Sequence, residues 1–256
     1  MFLEDIKILN KQGQQYIKDL SKVNLPDNFK GKPIIHETSD DLRPLVEFCP
    51  AKAITISEGK LNLNLGKCNF CGDCAHQYPN QINFSSDYRI ATNDKNQLIF
   101  KQGQQNLLSV NPELIRKDIK SIFNRSLKLR QVSAGGDACN ELELGACGNV
   151  NFDMGRYGIE FTASPRHADG IVVTGPITEN MTEALQIAYE AVPKPSLFIL
   201  AGTDAISGGL FADSPAVNRT ILNNIYVDLY IPGDPIHPLT FIHGILELTR
   251  QKFRKQ

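Results

Sequence analysis

Short apolar runs bounded by turn residues recur through the second half of the chain. Leu127–Val132, Ile159–Ala163, Gly170–Gly175, Ser196–Gly202 and Val227–Pro232 read as strands. Between them, Thr178–Val192 places Met181, Leu185, Tyr189 and Val192 at helical spacing behind Thr178 as N-cap. A last helix is predicted from about Pro238 to Phe253, with Leu239, Ile242 and Leu246 on one face. Buried strands alternating with helices predict an α/β domain built on a doubly wound parallel sheet. The first half reads differently. Ala53–Ile56 and Lys60–Leu65 are strand-like, and Pro33, Pro44, Pro50 and Pro79 leave no room for a long helix. Asn111-Pro112-Glu113 is a good helix opening, predicted to run to about Phe123. The expected division is an N-terminal extension (1–30), a small α+β domain (31–100), a linker helix (101–124) and the sheet domain (125–256).

Composition narrows the function classes. In 256 residues, 41% are hydrophobic and 21% charged, which suits a soluble globular protein and excludes wholesale disorder. A net charge of -1 argues against a nucleic-acid or anionic-membrane binder. No apolar run approaches the roughly 20 residues of a bilayer span, so no transmembrane segment is expected. The opening MFLEDIKILN lacks a basic region followed by an apolar one, so no secretion signal is read and a cytoplasmic location is expected. Ser207-Gly208-Gly209 lacks the frame of either common phosphate-binding loop.

The cysteines carry the strongest chemical signal. They stand at 49, 68, 71, 74, 139 and 147. Cys68-Asn69-Phe70-Cys71-Gly72-Asp73-Cys74 is a C-x2-C-x2-C run, the spacing that directs three thiolates onto one [4Fe–4S] cube. The fourth cysteine of such a run precedes a proline; here that place is Tyr78-Pro79, while Cys49-Pro50 lies upstream. Cys49, Cys68, Cys71 and Cys74 thus form one ligand set. Counting back from Cys49 by the same spacing gives Ser39, Leu42 and Leu45, so with Tyr78 a second set is replaced at all four positions. Residues 31–95 resemble the bacterial two-cluster ferredoxin module with one cluster lost. The competing readings are a four-cysteine zinc site, which lacks the paired knuckles of a zinc ribbon, and four unrelated buried thiols.

The second half carries a different resemblance. Ser164-Pro165-Arg166-His167-Ala168-Asp169, Ile171–Thr178, Arg125-Ser126-Leu127, Ser133-Ala134-Gly135, Glu141-Leu142-Glu143 and Tyr230-Ile231-Pro232-Gly233 are similar to the small subunit of membrane-bound nickel–iron hydrogenases of the formate hydrogenlyase type. That subunit is homologous to the complex I (NADH-quinone oxidoreductase) subunit with the terminal [4Fe–4S] cluster. The resemblance implies a flavodoxin-like sheet, a hydrogenase-like large subunit and a membrane arm as partners, and a peripheral place on the inner membrane face. The family's four cluster cysteines fall on Asp137, Asn140, Asp204 and Asp234 here, with Cys139 beside one slot and Cys147 further along the loop. The three carboxylates and Asn140 are expected to share the vacated pocket, with Cys139 and Asn140 at its rim. Three readings stay open: an empty pocket, a divalent-cation or proton site, and a cluster held by shifted ligands.

Two functions follow. One is an iron–sulfur electron-transfer subunit with one [4Fe–4S] cluster and no catalytic residue of its own. The other is a redox-silent structural subunit that keeps the cluster for folding. Arg166 and His167 are expected to stabilise a loop or interface, and His237 to be polar surface at a helix start.

Overall fold

The computed structural model describes residues 2–12, 16–38, 41–104 and 108–250. Its first part runs α1 (Phe2–Gln12), β1 (Pro33–Ile35), α2 (Arg43–Phe48), β2 (Ile54–Ser57), β3 (Lys60–Asn64), α3 (Asp73–Gln77), β4 (Ile82–Phe84) and β5 (Ile99–Lys101). β1 pairs with β4 and β2 with β3, both antiparallel, and β5 adds to β3. The units β1-α2-β2 and β3-α3-β4 are two copies of one pattern. Each ends its helix at a C-cap residue followed by proline: Cys49-Pro50 after α2, Tyr78-Pro79 after α3. Leu42 and Leu45, at the entry to and within α2, are buried in an apolar core against which Tyr78 packs. Phe48 meets Tyr78 edge-on at 5.8 Å. Ser39 lies outside the described residues.

The second part runs α4 (Lys117–Ile122), β6 (Leu127–Ser133), α5 (Cys139–Ala146), β7 (Ile159–Phe161), β8 (Gly170–Thr174), α6 (Glu179–Glu190), β9 (Leu197–Ala201), α7 (Thr203–Ser207), β10 (Leu229–Ile231) and α8 (Pro238–Thr249). The sheet is wholly parallel, in the order β10-β9-β8-β6-β7. Counted within this half the order reads 2-1-3-4-5 from the β7 edge, which is the flavodoxin-like arrangement. Thr92 and Tyr230 exchange backbone hydrogen bonds of 3.0 and 2.8 Å, so the β10 edge is covered by chain from the first half.

Both faces of this sheet are buried, and alternate residues serve different cores. Leu127, Leu129, Val172, Leu197, Ile199, Leu229 and Ile231 face α4, α5 and α8. Val132, Ile171, Val173, Phe198 and Leu200 face α6 and α7, and their core runs on without a break into Leu61, Leu63, Leu65, Ile82 and Phe100. The cysteine-bearing module therefore packs directly on the sheet. The segment between α1 and β1 straps the two together: Ile17 N–H donates to Asn151 at 2.9 Å, the Tyr88 hydroxyl donates to the Leu20 carbonyl, and Phe29 meets His237 edge-on.

The five predicted strands of the sheet and helices α6 and α8 form as expected, although Phe253 lies outside the described residues. The helix predicted from Asn111 does not. Asn111 Oδ1 accepts the Glu113 N–H at 2.9 Å and closes a turn, and Arg116 stays non-helical at φ −55, ψ 139. Its guanidinium instead reaches Asp228 through hydrogen bonds of 2.9 and 3.2 Å, so helix begins only at Lys117. Thr178 is the N-cap of α6 by position, but its side chain makes no capping hydrogen bond.

Candidate functional site

The cysteine loop joins β3 to α3. Cys68 is 7% exposed, Cys49 and Cys74 are half-buried and Cys71 is exposed. Every pairing among the four thiols lies within electrostatic reach. Each sulfur also faces a backbone N–H. Ala53 donates to Cys49 at 3.4 Å and Phe70 to Cys68 at 3.3 Å, while Asp73 and Ala75 serve Cys71 and Cys74. Left-handed backbone at Phe70 (φ 54) and Gly72 (φ 80) curls the loop so that its amides point inward. Donors aimed at sulfur favour thiolate over thiol. Without a metal, burial wins: it pushes Cys68 up to about 12, Cys74 up to about 11, and Cys71 above its ordinary value. The donor set, four soft sulfurs each met by an N–H, fits a [4Fe–4S] cube. Among the described residues no three His, Cys, Asp or Glu side chains are gathered round a single-ion point.

Asp137 and Asp234 stand in the loops after β6 and β10, and Asp204 in the first turn of α7, directly after β9, where the carboxyl ends of a parallel sheet converge. The structure brings them together: Asp204 feels both of the others, and Asp234 feels Asp137. Cys139 sits between two of them. Its N–H donates to Asp137 Oδ1 at 3.0 Å and its thiol faces Asp234 Oδ1 at 3.7 Å. Hydrogen bonds from Cys139 hold Asp137 below its usual range, whereas burial and then Asp137 raise Asp234. Burial, then Asp234 and Asp137, push Asp204 up to about 6, against the weaker pull of Arg219. Gly209, in a left-handed turn (φ 54), is required here, because a Cβ on it would overlap Asp204 Oδ1.

Two expectations about this region change, those for Asn140 and His237. Asn140 is not at the rim but buried at 2% exposure, its Oδ1 accepting the Ile236 N–H at 2.9 Å. Cys147 lies outside the pocket, in the core beneath α8, with its thiol on the Glu143 carbonyl at 3.3 Å. His237 is not simple polar surface: Nδ1 accepts the Leu239 N–H and caps α8, while Phe29 and Phe152 pack on the ring. Arg166 and His167 occupy a short 3-10 turn before β8. Two residues at the site carried no sequence signal. Arg219 spends its guanidinium on the carbonyls of Pro176, Asp204 and Ala205. Thr203, one residue from Asp204, donates its hydroxyl to the Cys68 carbonyl at 2.7 Å. Both contacts span long sequence separations that no local pattern encodes.

Cys139 is expected to alkylate slowly at neutral pH although it is partly exposed. Burial and the adjoining Asp137 and Asp234 raise its pKa, and the thiolate is the nucleophile. Asp137→Asn should speed alkylation severalfold; equal rates in the two proteins would contradict this electrostatic account.

The profile of the family described as NADH ubiquinone oxidoreductase, 20 Kd subunit, matches residues 138–248. The B subunit of the NADH-quinone oxidoreductase of Heliobacterium modesticaldum is 39% identical over 158 residues, covering 60% of this chain and 89% of that protein. A probable membrane-bound hydrogenase subunit of Pyrococcus furiosus is 35% identical over 135 residues, covering 52% of this chain and 79% of its own length. A chain of the membrane-bound sulfane sulfur reductase, an archaeal respiratory membrane complex, aligns with a TM-score of 0.43 at 29% identity, over 49% of this chain and 69% of that one. Among the described residues no helix is long and apolar enough to cross a membrane. By sequence, then, this chain belongs to the family of the NADH-quinone oxidoreductase B subunit.

Proposed function

We propose that this protein is an iron–sulfur subunit of a membrane-associated, hydrogenase-like or complex I-like oxidoreductase, with one [4Fe–4S] cluster on Cys49, Cys68, Cys71 and Cys74. The carrying observation is that all four sulfurs lie in mutual electrostatic reach and each has its own backbone N–H. Bound there, the cube supplies a one-electron couple. The chain's own part is to hold four thiolates, aim amides at them and keep Cys68 from water. The ferredoxin-like pattern supports the same reading: Leu42, Leu45 and Tyr78 occupy the pseudo-equivalent ligand places with packed apolar side chains.

Relatives named as subunits of NADH-quinone oxidoreductase and of a membrane-bound hydrogenase support a place in such a complex, peripheral to the membrane, with a hydrogenase-like large subunit and a membrane arm as partners. The family's terminal cluster would be absent, because Asp137, Asn140, Asp204 and Asp234 stand at its ligand positions and carboxylates are hard ligands. Anaerobic reconstitution should give about four irons per chain and a reduced-cluster EPR signal. Stoichiometric zinc with no iron would reject the assignment. The structural alternative draws on the Thr203–Cys68 clasp, which ties the cysteine loop into the fold. A cluster that forms but cannot be reduced by dithionite would favour it.

A further inference from the structure

The pocket of Asp137, Asp204 and Asp234 and the cysteine loop are neighbours. The Thr203 hydroxyl bonds the Cys68 carbonyl at 2.7 Å, and Thr203 and Asp204 are consecutive in α7. A Cβ on Gly66 would stand 2.8 Å from Ile206 Cγ2, so the start of the cysteine loop lies against the same helix. On the other side, Phe70 shares a small cavity with Gly233 and Pro235, the residues flanking Asp234.

Asp204 itself is 5% exposed, and its carboxylate receives no hydrogen bond or ion pair from another described residue. The charged groups around it are Asp234 after β10, Asp137 and Glu141 at the start of α5, and Arg219, with Lys67 beside Ser207 and Gly209. The cationic groups are Arg219, committed to backbone carbonyls, Lys67, and Lys52 in the same cavity wall, which pairs with Asp213 at 3.2 Å. A cleft of about 800 Å3, lined by Gly66, Lys67, Ile206, Ser207 and Arg219, opens at the back of α7.

We propose that Asp204 is a redox-linked proton site: it takes up one proton from water when the neighbouring iron–sulfur site gains one electron. The inference rests on the cluster assignment made above. The donor is any one-electron reductant of low potential. An O–H bond forms on the Asp204 carboxylate, no covalent bond in the protein breaks, and the added negative charge is offset by the added proton. Asp204 titrates in a useful range for this, since its burial and acidic neighbours place it near about 6.

The test is an EPR-monitored potentiometric titration of the anaerobically reconstituted full chain with dithionite, from about pH 5 to about pH 8.5. The midpoint potential should fall with rising pH above about 6, by up to about 59 mV per unit, the one-electron equivalent of a tenfold change. Asp204→Asn should abolish that slope. Asp234→Asn, which removes a negative neighbour and leaves the titrating group in place, should move the sloping region to lower pH. Full iron with a flat potential in the unaltered protein, or an unchanged slope in Asp204→Asn, overturns the inference alone. Absence of iron and of any reduced-cluster signal overturns the cluster assignment with it.

Discussion

Replacing Cys71 by serine should abolish the iron content of the reconstituted chain, whereas replacing Cys147 by serine should leave it unchanged. Cys71 is the most exposed of the four clustered thiols, so its loss removes little packing. The effect should come through ligation, because a serine hydroxyl is a hard, weakly acidic donor where a cube asks for thiolate. Losing the cube also leaves the buried Cys68 thiol and the curled backbone from Phe70 to Gly72 without the centre that organises them. Cluster binding is folding free energy, so the module should loosen and its urea midpoint should fall. Cys147 is the matched control. It is fully buried under α8 and hydrogen-bonds the Glu143 carbonyl, a bond that serine can keep. Its replacement should cost about 1 kcal/mol for a polar group in an apolar core, with iron unaffected. Iron and sulfide assays with urea unfolding of both variants decide it. Full iron in Cys71→Ser, or iron lost in Cys147→Ser, would defeat the ligand set.

What could be read from the sequence depends on how local the cause is. The strands of the parallel sheet are continuous apolar runs because both faces are covered, and a run of that kind carries its own signal. The meeting of Asp137, Asp204 and Asp234 was also within reach, since loops at the carboxyl ends of parallel strands must converge. Causes from far along the chain were not legible. Arg116 looks helical in its own neighbourhood, but Asp228 is 112 residues away and draws its side chain out of the helix. Asn140 looks like pocket rim until the Ile236 N–H, 96 residues away, claims it. That bond has a practical consequence. Restoring cysteine at Asp137, Asn140, Asp204 and Asp234 should not by itself restore a second cluster, because the substitution at Asn140 strands a buried N–H. A second cluster in the quadruple variant, counted as about eight irons per chain, would show that the loop re-forms freely.

Asp204→Asn should make the protein more stable at neutral pH and leave it unchanged near pH 4. The folded chain holds Asp204 at about 6 against an ordinary 3.8, so the native state disfavours the ionised form. For a group raised in this way, stability is fully present below about 3.8 and is lost as pH climbs through about 6. Above that window the loss levels off at a pKa difference of about 2, or up to about 3 kcal/mol. Asparagine keeps the size of the side chain, removes the charge and offers N–H donors to the acids nearby. The gain should therefore appear only where the aspartate would have been ionised. In a chain of this length, about 3 kcal/mol corresponds to a rise in Tm of roughly 6–12 °C. Unfolding of both proteins at matched metal content, near pH 4 and near pH 7.5, gives the comparison. Groups that titrate in both, such as the buried His243 pressed down to about 4, cancel in the difference. An equal gain at both pH values would mean that asparagine merely packs better. No gain at pH 7.5 would mean that the Asp204 charge is already compensated in the folded chain, and the buried, unpartnered carboxylate described above would be wrong.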